Sequence, residues 1–136
     1  MLADQLFRFA QAVCLVLGMS TVLPAVALPM LFEATLDGAQ ANAGAGTGSA
    51  GTGSATMIFD DATNEFSWEI LWQNLSAPVF IAHFHGPAVA GFNAGVALGI
   101  PELVSPSNGA AVLSTGQAAD LVAGLWYINI HTFNFP

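Results

Sequence analysis

The chain has almost no positive charge: Arg8 is its sole Lys or Arg, against nine Asp and Glu, for a formal net charge of -8 at pH 7. Polyanions are held by Lys and Arg that displace their counterions, so nucleic acid is excluded as a partner, and an anionic membrane surface is excluded on the same ground. Cysteine is nearly as scarce. Cys14 stands alone inside an apolar run near the N-terminus, which excludes a disulfide framework and a thiolate metal site from the rest of the chain. A serine or cysteine nucleophile motif is also missing, and the isolated Asp and Glu residues define no paired-carboxylate site. The glycine-rich stretch over 39–54 is followed by no lysine and no helix signal, so it is no phosphate cradle. No residue pattern here marks an enzyme.

Long apolar runs are limited to one. A short segment ending at Arg8 leads into Phe9 to Leu23 and then Pro24-Ala25-Val26-Ala27. The run is short for a membrane span, and Ala25-x-Ala27 has the small residues that signal peptidase requires. The expectation is a signal peptide over residues 1–27, cleaved after Ala27, and a secreted protein, extracellular or periplasmic, with no transmembrane span after cleavage. That leaves 109 residues, enough for one domain with a modest core. Its eight acids and lack of any permanent cation keep a rather apolar domain from self-associating.

What is present reads as β structure. Leu31 to Leu36 alternates around Glu33 and Thr35 and is turned by Asp37-Gly38. Residues 39–54, almost wholly Gly, Ala, Ser and Thr, have nothing to bury and are expected as a flexible loop running into a strand at its Thr-rich end. Ala55 to Phe59 and Glu65 to Gln73 are strands joined by a plain acidic turn, and Phe66, Trp68, Ile70 and Trp72 share one face of the second. Gly95 to Ile100 and Ala110 to Leu113 are short strands. Ser114-x-x-Gln117 opens the one helical signal with a capping box, Ala118, Leu121 and Val122 give its stripe, and Gly124 ends it. Leu125 to Thr132 returns to period two, with Trp126, Ile128 and Ile130 on one face and Tyr127, Asn129 and His131 on the other. Short strands, many turns and one short helix predict an all-β fold: an immunoglobulin-like or Greek-key antiparallel β-sandwich or barrel.

Two of the three histidines lie in Ile81-Ala82-His83-Phe84-His85-Gly86-Pro87, at the end of a strand running from Pro78. Alternation puts Val79, Ile81, His83 and His85 on one face and the apolar Phe80, Ala82 and Phe84 on the other, the core side. The two imidazoles then project together, roughly 7 Å apart at Cα, a spacing that suits a shared metal ion. His131, the third, sits near the end of the last strand, opposite its core stripe.

Phe32-Glu33-Ala34-x-Leu36-x-Gly38-Ala39-Gln40, Ala82-His83-Phe84-His85-Gly86-Pro87-Ala88 and Leu121-x-Ala123-Gly124-Leu125-Trp126-Tyr127-Ile128-Asn129-Ile130-His131-Thr132 together closely resemble the chordin domain (CHRD) family. The resemblance spans residues 28–136 and implies an immunoglobulin-like or superoxide-dismutase-like fold in a secreted protein. Chordin itself is an extracellular antagonist of bone morphogenetic proteins, while microbial members mostly lack an assigned activity, so the resemblance implies fold more firmly than function. The family continues past the His-Thr segment into a closing strand, whereas this chain stops at Pro136. The resemblance therefore implies a domain without its last strand, and an exposed edge beside Trp126, Ile128 and Ile130 that invites self-association.

All three histidines fall in the family motifs. On one reading they hydrogen-bond neighbouring strands, with Asn129 as a further polar partner, in a non-enzymatic binding or structural module for an extracellular protein or surface. On the other, His83, His85 and His131 form a three-imidazole site for Cu or Zn in a small, redox-capable metalloprotein. The arrangement is similar to the copper half-site of copper/zinc superoxide dismutases, without the bridging histidine, a zinc loop or the arginine that attracts superoxide.

Overall fold

The computed structural model describes residues 2–4 and 28–136. Apart from Leu2–Asp4, the expected signal peptide over residues 1–27 lies outside the described residues. The elements are β1 (Leu2–Asp4), β2 (Met30–Asp37), β3 (Thr52–Asp60), β4 (Glu65–Gln73), β5 (Val79–His85), β6 (Val96–Gly99), β7 (Ser107–Val112), α1 (Thr115–Val122) and β8 (Tyr127–Thr132). They form two four-stranded sheets, β2-β3-β4-β7 and β1-β8-β5-β6, and every strand pairing is antiparallel. The chain is an all-β sandwich with one short helix.

The inner faces meet in a core that holds Phe32, Leu36, Met57, Phe59, Phe66, Trp68 and Ile70 from one sheet and Phe84, Ile128 and Ile130 from the other. Phe66 and Phe84 pack edge-on at 5.2 Å between ring centroids, and Trp126 meets Phe66 in the same manner at 5.8 Å. Edge-to-face contacts of this kind add about 0.5–1.5 kcal/mol beyond burial itself. Gly86 follows β5 because nothing larger fits: a Cβ there would lie 2.5 Å from Trp126 Cδ1 and 3.0 Å from the Leu125 carbonyl.

Helix α1 starts as the sequence predicts. The Ser114 hydroxyl accepts from Gln117 N, and Gln117 Oε1 accepts from Ser114 N. It closes in a Schellman arrangement, with Gly124 N donating to Leu121 O, Leu125 N to Asp120 O, and Gly124 at φ +72. Ala118 and Leu121 face the core, whereas Val122 is exposed.

Two differences from the sequence reading have local causes. Residues 39–51 hold a bonded loop rather than a loose one: the Asp37 carboxylate accepts from Ala39 N, Gln40 N and Gln40 Nε2, Gly46 N reaches Ala41 O, and Ala41 is fully buried. Burial raises the Asp37 carboxyl pKa, but the hydrogen bonds from Gln40 and Ala39 outweigh it and hold the group below its ordinary value. In β5, Val79 pairs with Thr132 and Ile81 with His131, so Phe80 is an extra residue that shifts the register. The bulge reverses the alternation before it: Val79 packs on the core, while Phe80 turns outward and is 39% exposed. On the side of β8 away from β5, β1 pairs with Ile128, Asn129 and Ile130; β1 lies within the expected signal peptide, so cleavage after Ala27 would leave that side of β8 as the edge expected above.

Candidate metal centre

Beyond the bulge the alternation holds, and β5 presents His83 and His85 on the face of the sheet away from the core. On β8 the same face carries Tyr127, Asn129 and His131. Antiparallel register sets His83 opposite Asn129, His85 opposite Tyr127, and Ile81 opposite His131, so His131 is the diagonal neighbour of His83. Side chains at opposite and diagonal positions are within reach of one another when they are ring-sized. The His83 ring centroid lies 5.4 Å from that of His85 and 5.4 Å from that of His131. One ring nitrogen from each of the three comes within 4.8 Å of the others. The structure thus brings together all three histidines singled out from the sequence.

The hydrogen bonding around the rings is uneven. His85 Nδ1 lies 2.9 Å from the Ala94 carbonyl, which can only accept, so Nδ1 carries the proton and Nε2 keeps its lone pair. That Nε2 is buried and has no partner. The same holds for His83 Nδ1. A buried polar atom without a partner costs about 1–3 kcal/mol, and here two occur on neighbouring rings that meet edge-on. A second ring stacks on His85: Tyr127, 5.0 Å away at an interplanar angle of 15°. The Tyr127 hydroxyl accepts from Ala94 N, so one residue of the β5–β6 loop holds both rings in place through its two backbone polar groups.

Acid–base chemistry in the cluster favours the neutral imidazole. Burial lowers the pKa of His83, and the charge of a protonated His85 lowers it further. His131 is lowered by burial first and then by His83 and His85, with a hydrogen bond to the Pro136 backbone acting in the opposite sense. Both rings therefore keep their lone pairs to a lower pH than a free imidazole near 6.5. No Asp or Glu belongs to the cluster among the described residues. A dication bound among the three rings would meet no carboxylate of the cluster.

Sequence reasoning placed the three rings but not their supports. Ala94 acts through its backbone and carries no side-chain signal. Tyr127 was legible as a member of the histidine face, yet its stacking on His85 follows from a strand register that sequence alone leaves open. Phe80 was assigned to the core and instead stands beside the site, 6.2 Å from the His131 ring and 5.1 Å from Phe133.

No curated protein and no solved structure matches the chain. No helix among the described residues is long and apolar enough to cross a membrane. The match that exists is to a family, over residues 32–136, and it takes in both strands that carry the histidines: the chain belongs to the CHRD domain family.

Proposed function

We propose that this CHRD domain is a secreted, non-enzymatic binding module whose site is a three-histidine centre for a divalent transition metal, Zn²⁺ or Cu²⁺. The observation that carries the reading is the pair of buried, unpartnered nitrogens, His83 Nδ1 and His85 Nε2, within a three-ring cluster whose ligand atoms lie within 4.8 Å of one another. If the rings served only to bond neighbouring strands, these are the atoms that would have found partners.

The donor set suits the ion. Imidazole nitrogen binds zinc at about 2.0–2.1 Å, which spaces three ligand nitrogens about 3.3 Å apart in a tetrahedron. The Ala94 carbonyl on His85 Nδ1 is the kind of outer contact that fixes the tautomer and aim of a ligating histidine. The absence of thiolate and thioether favours Zn²⁺ and Cu²⁺ over Cu⁺. Secretion is supported by the leader-like segment at residues 1–27 and by the family's occurrence in extracellular proteins.

Calorimetric titration of tag-free protein with Zn²⁺ and with Cu²⁺ tests the reading. Saturable binding of one ion, weakened at least about tenfold in His83→Ala and in His131→Ala, supports it. Equal affinity in both variants would leave the histidines a purely structural role.

A further inference from the structure

Asn129 is 6% exposed, and its Oδ1 is buried without a hydrogen-bond partner. It sits directly across from His83 in the register, is the diagonal neighbour of His85, and precedes His131 by two residues on the same face of β8. The four side chains make one contiguous block, and Asn129 has no apolar role on this face. A carboxamide oxygen buried without a donor costs free energy just as the two orphaned ring nitrogens do. All three atoms are buried without a hydrogen-bond partner, and two of them, Asn129 Oδ1 and the His85 Nε2 left bare by the Nδ1–H bond to Ala94, have lone pairs with no hydrogen to receive them.

We infer that Asn129 Oδ1 is the fourth ligand of the three-histidine centre, which makes it a closed N₃O site for a divalent ion rather than an N₃ site with an open position. The inference rests on the metal-binding reading above and deepens it. A site with three imidazoles and one open position is the form that catalytic zinc takes, whereas four protein ligands are the form of a structural or storage site. An oxygen donor also biases the selection. Amide oxygen is a hard ligand that Zn²⁺ and Cu²⁺ accept and that Cu⁺ has little use for. Occupying the fourth position from within the chain accounts for a metal-holding domain that shows no catalytic motif.

The test compares wild-type protein, Asn129→Leu and Asn129→Asp by Zn²⁺ calorimetry, by the visible spectrum of the Co²⁺ form, and by competition for Cu⁺. Leu keeps the volume and removes the donor, while Asp keeps the oxygen and adds a charge. The expected result is Zn²⁺ affinity lowered at least about tenfold in Asn129→Leu, a changed Co²⁺ spectrum in that variant, retained or tighter binding in Asn129→Asp, and Cu⁺ affinity unchanged throughout. Asn129→Leu with the wild-type Zn²⁺ affinity and Co²⁺ spectrum would overturn the fourth ligand and leave the three-histidine reading standing. Wild-type protein that takes up no Zn²⁺, Cu²⁺ or Co²⁺ would overturn both. If Asn129→Leu does not fold, as read by circular dichroism, Asn129→Asp decides: weaker Zn²⁺ binding in the folded variant than in wild type contradicts the proposal.

Discussion

In β3 and β4 buried and exposed residues alternate along most of each strand, one face to the core and one to solvent. In β8 nearly every residue is buried, Tyr127 and Asn129 on one face as well as Ile128 and Ile130 on the other. The first sheet follows the ordinary economy of an antiparallel sandwich. The second buries polar side chains on its outer face and leaves two ring nitrogens and an amide oxygen there unpartnered. Unpartnered indole nitrogens of Trp68 and Trp126 also lie in the core, so what sets the outer face of the second sheet apart is the clustering of such atoms on His83, His85 and Asn129, and the proposed site rests on that clustering.

The sharpest way to break the comparison lies within one strand, where Phe84 points to the core and His83 away from it. Phe84 is fully buried among Phe66, Trp68 and Trp126. Phe84→Ala should cost about 3–5 kcal/mol in urea denaturation. A cost under about 1 kcal/mol would mean that the core does not depend on this sheet.

The neighbouring residue should behave oppositely. Zinc at a hundred times its dissociation constant stabilises a protein that binds it only when folded by about 2.7 kcal/mol. This increment should appear in wild type and vanish in His83→Ala, while the metal-free variant stays within about 1 kcal/mol of wild type, since Nδ1 has no bond to lose. Thermal melts with and without Zn²⁺ read both quantities. Zinc stabilisation that survives in His83→Ala would place the ion elsewhere.

How far the contrast was legible depends on the kind of signal. Period two in Phe66, Trp68 and Ile70 is a property of the chain, and those residues are buried as the pattern requires. The same pattern put His83, His85 and His131 on faces away from the core, and the motifs they share brought them to one family. Phe80 was misplaced because a bulge adds a residue without changing composition, and every side chain before it changes face. Burial of Tyr127 and Asn129 was not legible either. It depends on what covers the outer face, such as the loop whose Ala94 N reaches Tyr127, and loops leave no periodicity to read.

Acid should separate the sheets by a smaller margin. Because His83 and His131 have folded-state pKa values below 6.5, the unfolded chain takes up protons first as pH falls. Their contribution is therefore complete above about pH 6.5 and is lost progressively below it. Metal-free denaturation midpoints should fall as pH drops below about 6.5, and a His83→Leu/His131→Leu double variant should show a shallower decline. An identical decline in the double variant would assign that slope to other groups. The smallest effect belongs to the solvent face of the other sheet: Ile58 is 45% exposed on β3, and Ile58→Thr should change stability by no more than about 0.5 kcal/mol and leave zinc binding untouched.

The most direct measurement of the central claim is the ¹⁵N spectrum of the three imidazole rings during a Zn²⁺ titration. Before metal, His85 should be protonated at Nδ1, as its bond to Ala94 requires. With one equivalent of Zn²⁺, His83 Nδ1 and His85 Nε2 should shift together with one nitrogen of His131, and the shifts should saturate at one ion per chain. Ring nitrogens that stay in place while Zn²⁺ is added, or that move independently at different metal concentrations, would contradict a shared centre.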